Sequence, residues 1–398
     1  KMSKSKGNVL DPLDLIDGID LESLVAKRTS GLMQGHLAPR IENATRKHFP
    51  DGIDRYGTDA LRLTFIALAT TGRDLRFDLG RIEGYKNFCN KLWNAARYVL
   101  MNTESLDDGD TEISAADRWI QSRFNSTVAD VRQHFGNYRL DLALQSAYEF
   151  TWHELCDWYL ELSKPVLQSD DTTDAQKRGT QRTLIDTLEG TLRLLHPMMP
   201  FVTEEIWQTV AKRAGIAGET IMLQPFPESN ESRVDKDAEA EIDWVKQFIL
   251  GIRQSRGEMD IAPGKPLPVL LQGAGASDRQ RVRTDMPLLQ RVGRVESVTE
   301  IGDDDEPPPA ATALLGEMRL LVPMKGLIDV DAERARLAKQ QEKTSQELKR
   351  ANGKLATEKF VNTAPAEVVS QERERVAEFE RTLAHLSEQL QKLDELAE

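Results

Sequence analysis

At 398 residues the chain is longer than one ordinary domain, so about two to four folded units are expected. Its 39% hydrophobic and 29% charged residues supply enough apolar material for real cores, which excludes disorder throughout. A formal charge of −13, from 52 Lys plus Arg against 65 Asp plus Glu, argues against an indiscriminate nucleic-acid coat, so any polyanion must meet local basic patches.

The opening, KMSKSKGNVLDPLDLIDGI (1–19), reads as a lysine- and serine-rich loop running into short apolar clusters bounded by Asp-Pro and Asp-Gly turns. Residues 51–79 read as a turn, a buried helix from about Thr58 to Ala69 and a connection, with Thr58 or Asp59 available as the cap. From about Leu79 to Lys212 helical periodicity dominates. A first long helix carries Ile82, Tyr85, Phe88, Cys89, Leu92, Trp93, Ala96 and Val99 as a single apolar stripe. Ser114 is placed to cap a second helix, striped by Trp119, Ile120, Phe124, Val128, Val131 and Phe135. A third runs from Leu140 through Trp152 and Tyr159 to Leu162 and is expected to stop at Lys164-Pro165. A fourth carries Leu184, Leu188, Leu192 and Leu195, and another begins near Thr203. Helices joined by short polar loops in this way make a bundle.

After about Ile221 the texture changes. PLPVLLQ and EMRLLVPM are short β-like runs flanking helical text from Asp278 to Val292, so a small mixed α/β region is expected. The last stretch places Val330, Leu337, Gln341, Thr344, Leu348, Ala351 and Leu355 on alternating steps of three and four, as it does Val376, Phe379, Leu383, Leu386, Leu390, Leu393 and Ala397. With a turn at 360–365 between them, two such helices must fold back as an antiparallel coiled-coil hairpin, roughly 45 Å long at 1.5 Å per residue. The expected fold is mainly α, divided at 1–78, 79–220, 221–325 and 326–398. Cys89 and Cys156, far apart inside apolar patterns, exclude a disulfide framework or a CxxC zinc site and read as buried thiols. No apolar run approaches the ~18 residues of a membrane span, and the N-terminus lacks a signal-like apolar core. A cytoplasmic protein with no membrane partner is expected, and because the chain opens on Lys rather than Met it reads as the C-terminal piece of something longer.

The sharpest chemical signal is KMSKSKGNV. Lys1, Lys4 and Lys6 offer mobile point charges, and Ser3, Ser5 and Gly7 supply small donors and flexibility, as a loop closing over a polyphosphate requires. Short Lys/Ser runs also occur in solvated tails. The longer context decides between them: YGTDALRLTFIALATTGRDLRFD, NFCNKLWNAARYVL, WYLELSKPVL, LLHPMMPFVTEEIWQ and KFVNTAPAEVV, with the KMSKS motif, resemble class I aminoacyl-tRNA synthetases, and within them the valyl-tRNA synthetase family. Isoleucyl enzymes typically end in a cysteine-rich zinc module that two separated cysteines cannot build.

The resemblance implies a valine–tRNA ligase, which joins valine to ATP, Mg2+ accompanying the nucleotide, and passes the valyl group to tRNA(Val). It implies a monomer with no metal site of its own in this chain. It makes Lys4, with Lys1 second, the catalytic residue that neutralises the departing pyrophosphate, and Ser3, Lys4 and Ser5 the ATP-binding loop. It makes 79–220 an anticodon-binding bundle and the hairpin a tRNA-binding arm. No HIGH-type tetrapeptide or glycine-rich nucleotide-binding turn follows Lys1, so the chain alone is expected to be inactive. For RNA, Lys86, Asn90, Lys91, Asn94 and Arg97 recur on one flank of the first bundle helix, and Lys339, Lys343, Lys349, Arg350 and Lys354 lie on the basic first helix of the hairpin. A solvated face is the other reading of the first set. Mutual pairing with the acidic second helix, rich in Glu372, Glu374, Glu378 and Glu380, is the other reading of the second. A stand-alone tRNA-binding protein and a coiled-coil interaction protein remain as alternatives. Trp119, Trp152, Trp158, Trp207 and His196 read as core residues.

Overall fold

The computed structural model describes residues 8–32, 34–69, 77–324, 330–356 and 366–397. The opening motif at 1–7 and the expected turn at 360–365 lie outside the described residues. The fold is mainly helical with a small mixed sheet, as the periodicity requires, and it divides into two compact units, 1–243 and 244–398.

In the first unit, α1 (Pro12–Asp17) and α2 (Leu21–Thr29) begin at Asp11 and Asp20, whose carboxylates cap them. Lys27 ties the two together, reaching Asp11 at 2.6 Å and Asp14 at 2.7 Å. After α3 (Ala38–His48), Ile53 bridges back to Ile19, and Gly52 makes the approach possible. It sits at φ +85°, and a Cβ there would lie 2.2 Å from the Ile19 carbonyl oxygen. Helix α4 (Thr58–Leu68) forms where expected, but neither Thr58 nor Asp59 caps it; Gly57 takes that place with no side-chain bond. The buried Asp59 accepts hydrogen bonds from the backbone N–H groups of Phe201 (3.3 Å) and Val202 (2.7 Å) instead. It thereby caps a helix far along the chain, whose free N–H groups and positive end attract a carboxylate.

The bundle comprises α5 (Leu79–Asn102), α6 (Ala115–Gly136), α7 (Leu140–Glu149), α8 (Leu160–Gln168), α9 (Asp174–Leu195) and α10 (Pro200–Ala214). Phe88, Trp119, Phe150, Tyr159 and Trp207 are each 2% exposed or less, and each contributes roughly 1.5–3 kcal/mol by leaving water. Ser114 caps α6 as its sequence indicates, with Asp117 closing a capping box. Asp117 is fully buried and accepts from Ser114 N (2.8 Å), Ser114 Oγ (2.7 Å), Thr180 Oγ1 (2.9 Å) and Tyr159 OH (2.6 Å), so its charge is satisfied from three elements.

Between α7 and α8 the helix winds wider, as a π-helix over Phe150–Tyr159; Leu160 N–H bonds to Leu155 O, five residues back. Trp158, Tyr159 and Leu160 are consecutive and all buried, which a narrow α-helical stripe does not achieve. Contrary to expectation, Lys164-Pro165 does not end the helix. Pro165 removes only the bond to the Glu161 carbonyl, within one turn of the true end at Gln168, and the buried Leu162 and Ser163 hold the segment in place.

The unit boundary falls inside α11 (Lys236–Glu258). In the second unit β1 (Leu267–Gln272) leads through α12 (Ala276–Gly293) to β2 (Val295–Glu300), and β3 (Ala310–Leu315) forms a hairpin with β4 (Met318–Pro323). The sheet order is β2-β1-β4-β3, with β1 and β2 parallel and the other pairs antiparallel. Helices α13 (Val330–Leu355) and α14 (Ala366–Ala397) pack on each other. Gln341 Nε2 donates to Ser387 Oγ at 3.0 Å and Lys354 meets Glu372 at 3.2 Å, so the two strands of the hairpin run antiparallel. Leu337, Ala351, Val369 and Leu386 fill the seam. Gln341, a polar residue at a seam position, spends its amide across it.

Candidate RNA interface

At 100° per residue, Lys86, Asn90, Asn94 and Arg97 fall within an arc of about 100° on α5, and the arc also contains Trp93 and Met101. Asn90, Asn94 and Arg97 are exposed, Trp93 is 43% exposed and Met101 is 68% exposed. The face is therefore a strip roughly 22 Å long with amide, guanidinium and indole groups open to solvent. Lys86 lies with its ammonium 5.6 Å from the centre of the Tyr56 ring. Helix α5 carries Arg81, Lys86, Lys91 and Arg97 against the single acid Glu83, a local excess of positive charge on a chain of net −13.

Lys91 stands apart from this strip. Its ammonium pairs with the Asp157 carboxylate and sits 3.9 Å from the centre of the Trp152 ring. Trp152 stacks on Tyr148 at 5.6 Å and on Phe88 at 6.2 Å, and His153 Nδ1 approaches the same carboxylate at 3.2 Å. The half-buried Trp152 is thus the outer layer of an aromatic stack, whereas Trp119, Trp158 and Trp207 are core residues as expected.

Trp93 is the residue that sequence reasoning misplaced. Its i+4 spacing from Cys89 put it in the apolar stripe, but Ile82, Tyr85, Phe88, Cys89, Leu92, Ala96 and Val99 complete that stripe without it. The signal was available in the helical angle, which sets Trp93 at the stripe's edge among asparagines.

On the hairpin, Lys339, Lys343, Lys349, Arg350 and Lys354 are all exposed on α13. Lys354 is engaged with Glu372, a carboxylate only 7% exposed that also meets Arg375 at 3.4 Å. Among the described residues, mutual pairing of the two helices thus claims one cation of the five. Lys1, Ser3, Lys4 and Ser5 lie outside the described residues.

Groups with other conceivable roles are held in structural ones. Burial pushes the Cys89 and Cys156 thiols up to about 12, and both are free. His196 is half-buried with Nδ1 2.8 Å from Thr203 Oγ1, and burial lowers its pKa below the ordinary histidine value. Among the described residues no group of three or more His, Cys, Asp or Glu side chains is placed to hold a metal ion, and no helix is long and apolar enough to cross a membrane.

Comparison with known families matches three stretches of the chain. Residues 1–78 match the family of tRNA synthetases class I (I, L, M and V), residues 117–271 the anticodon-binding domain of tRNA ligase, and residues 329–394 the valyl tRNA synthetase tRNA binding arm. Together the three matches mark the chain as valyl-tRNA synthetase-like. Its exposed strip on α5 lies between the first two matched stretches, and its exposed lysines on α13 lie inside the third. Among solved structures, the ternary complex of Agrobacterium radiobacter K84 agnB2 LeuRS with tRNA and LeuAMS is similar at 14% identity over 76% of this chain, with a TM-score of 0.36. This chain spans 30% of that one.

Proposed function

We propose that this chain is the tRNA-binding part of a valine–tRNA ligase and supplies its lysine loop. The observation that carries the reading is the succession in one chain of a class I catalytic stretch, an anticodon-binding stretch and a valyl-type arm. The exposed strip on α5 supports the RNA role physically. Arg97 and Lys86 meet phosphates, Asn90 and Asn94 offer both donors and acceptors to base edges, and Trp93 offers a face on which an unpaired base stacks.

In the complete enzyme the valine carboxylate attacks the α-phosphorus of ATP, pyrophosphate leaves, and the valyl group then passes to the terminal adenosine of tRNA(Val). Negative charge grows on the leaving pyrophosphate, so an ammonium brought against it lowers the barrier. Lys4 is the residue assigned to that contact and Lys1 the second, with Ser3 and Ser5 shaping the loop around ATP. Mg2+ arrives with the nucleotide. The enzyme acts as a monomer in the cytoplasm.

Valine-dependent ATP–pyrophosphate exchange tests this. It is expected to be silent with this chain and present in a longer polypeptide that adds a nucleotide-binding region. There Lys4→Ala is expected to lower it on the order of 100-fold. Exchange untouched by Lys4→Ala contradicts the lysine's role, and tRNA binding without any exchange in the longer polypeptide favours a non-catalytic tRNA-binding protein.

A further inference from the structure

Three arginines from three helices hold one shallow cavity of the first unit in shape. Arg132 of α6 donates from Nη1 to the Pro227 carbonyl at 2.9 Å, and Arg193 of α9 donates from Nη1 to the Pro225 carbonyl at 2.9 Å. The residue between those two prolines, Phe226, is thereby fixed from both sides. Arg62 of α4 donates to the carbonyls of Pro197 (3.1 Å) and Met198 (3.2 Å) in the turn between α9 and α10. Arg132, Phe135, Pro197 and Phe226 line a cavity of about 390 Å³ that opens to solvent. That volume lies in the range of small-ligand sites, about 300–1,000 Å³.

The rings of Phe135 and Phe226 meet edge to face, with 5.8 Å between centres and 80° between planes, and the Arg132 guanidinium lies 5.9 Å from the centre of the Phe226 ring. Both rings are half-buried, so each keeps part of its surface uncovered. Arg132 is exposed, and among the described residues its Nε and Nη2 have no acceptor and no carboxylate pairs with it. Arg193, by contrast, is spent on Glu189 at 2.7 Å. No acid lines the cavity among the described residues. A fixed aromatic wall beside a guanidinium with free N–H groups suits a ligand that is flat and aromatic at one end and anionic at the other. An inorganic anion would leave the rings unused, and an uncharged apolar chain would leave the guanidinium unused.

We infer that this cavity seats a single unpaired nucleotide, its base against Phe226 and Phe135 and its phosphate on Arg132. Stacking gains most from a platform that is already in place, which the bonds to the Pro225 and Pro227 carbonyls provide. The site shares no residue with the strip on α5. The inference rests on the RNA reading above for the source of the nucleotide, an unpaired position of an RNA strand; a free nucleotide is the other source of the same chemistry.

The test is NMR of AMP titrated with the whole chain, with adenosine and inorganic phosphate as partial ligands. AMP is expected to bind saturably and to receive saturation from the protein at its base protons. Adenosine should bind about tenfold more weakly for want of the charged contact, and inorganic phosphate more weakly still. Phe226→Leu keeps an apolar side chain but loses the ring, and it is expected to weaken AMP and adenosine alike about tenfold. Arg132→Gln can still donate to the Pro227 carbonyl, and it is expected to bring AMP down to the level of adenosine while adenosine is unchanged. Far-ultraviolet circular dichroism should match the wild type in both, and the exposed Arg132 tests the site even if Phe226→Leu does not fold. A short oligo(A) strand that displaces AMP from the wild type identifies the source as RNA. AMP that stays bound beside saturating RNA identifies it as a free nucleotide, and both results place a nucleotide here. AMP that fails to bind, or that binds both variants as it binds the wild type, overturns the inference. Valine-dependent exchange in the longer polypeptide is read separately, so the ligase reading stands or falls without this site.

Discussion

Tyr159→Phe removes a single oxygen from the middle of the bundle and leaves the ring that fills the space. The lost group is the phenol that donates to Asp117 Oδ1 at 2.6 Å, where both residues are fully buried. Burial, followed by the adjacent Asp117 charge, holds the Tyr159 pKa well above the ordinary phenol value, so the hydroxyl keeps its proton and donates. A hydrogen bond to an ionised group contributes about 1.5–3 kcal/mol, and here Asp117 keeps three of its four donors while no water reaches the vacated position. Urea unfolding followed by far-ultraviolet circular dichroism should show a loss of that size. In the melting temperature it corresponds to roughly 2–4 °C per kcal/mol for a unit of this length. Thr180→Val removes the neighbouring 2.9 Å bond to the same carboxylate, so the two changes should be non-additive when combined. A loss below about 0.5 kcal/mol for Tyr159→Phe, or strict additivity in the double variant, refutes the view that Asp117 is a charge held by its donors.

Gly52→Ala is expected to destabilise the first unit by more than about 2 kcal/mol in the same assay, since its Cβ would lie 2.2 Å from the Ile19 carbonyl oxygen at φ +85°; a neutral result would show that the Ile19–Ile53 bridge is not needed. Arg139, hydrogen-bonded to Asp141, holds that carboxyl down at about 2, below its unfolded value. The stability this contributes is present above the ordinary Asp pKa and is lost as pH falls from there through about 2. An NMR titration of Asp141 in Arg139→Gln should return the carboxyl to the ordinary range, and an unchanged value would contradict the assigned cause.

Periodicity made the bundle legible, because α5, α6 and α9 bury one continuous stripe each and begin at recognisable caps such as Ser114. It failed where a residue answers to something distant in sequence. Asp59 looks like a local cap, yet the unsatisfied N–H groups of Phe201 and Val202 claim it. Pro165 looks like a stop, yet the cost of one lost hydrogen bond near a helix end is outweighed by the packing around Leu162. Strands β2 and β3 went unread for related reasons. Val295–Glu300 buries little of its length at a sheet edge, and the alanine-rich Ala310–Leu315 is helix-like text made into a strand by the hairpin turn at Gly316, φ +62°.

At the candidate RNA surface the sequence supplied residue types, and the structure sorted them. Asn90, Asn94 and Arg97 share an open face with Lys86, while Lys91, equally basic in the text, is committed to Asp157 and Trp152. Trp93 went the other way, from expected core to open surface, because helical spacing alone does not say which side of a stripe's edge faces solvent.

The most direct measurement is the affinity of this chain for tRNA(Val) as a function of salt, in the wild type, Arg97→Ala and Trp93→Ala. Affinity should fall steeply with salt. Arg97→Ala should reduce the log–log slope by about one, and Trp93→Ala should weaken binding about tenfold or more at unchanged slope, as expected for a lost stacking contact. Undetectable or salt-independent binding, or two variants that bind like the wild type, would contradict the assignment of this surface to RNA.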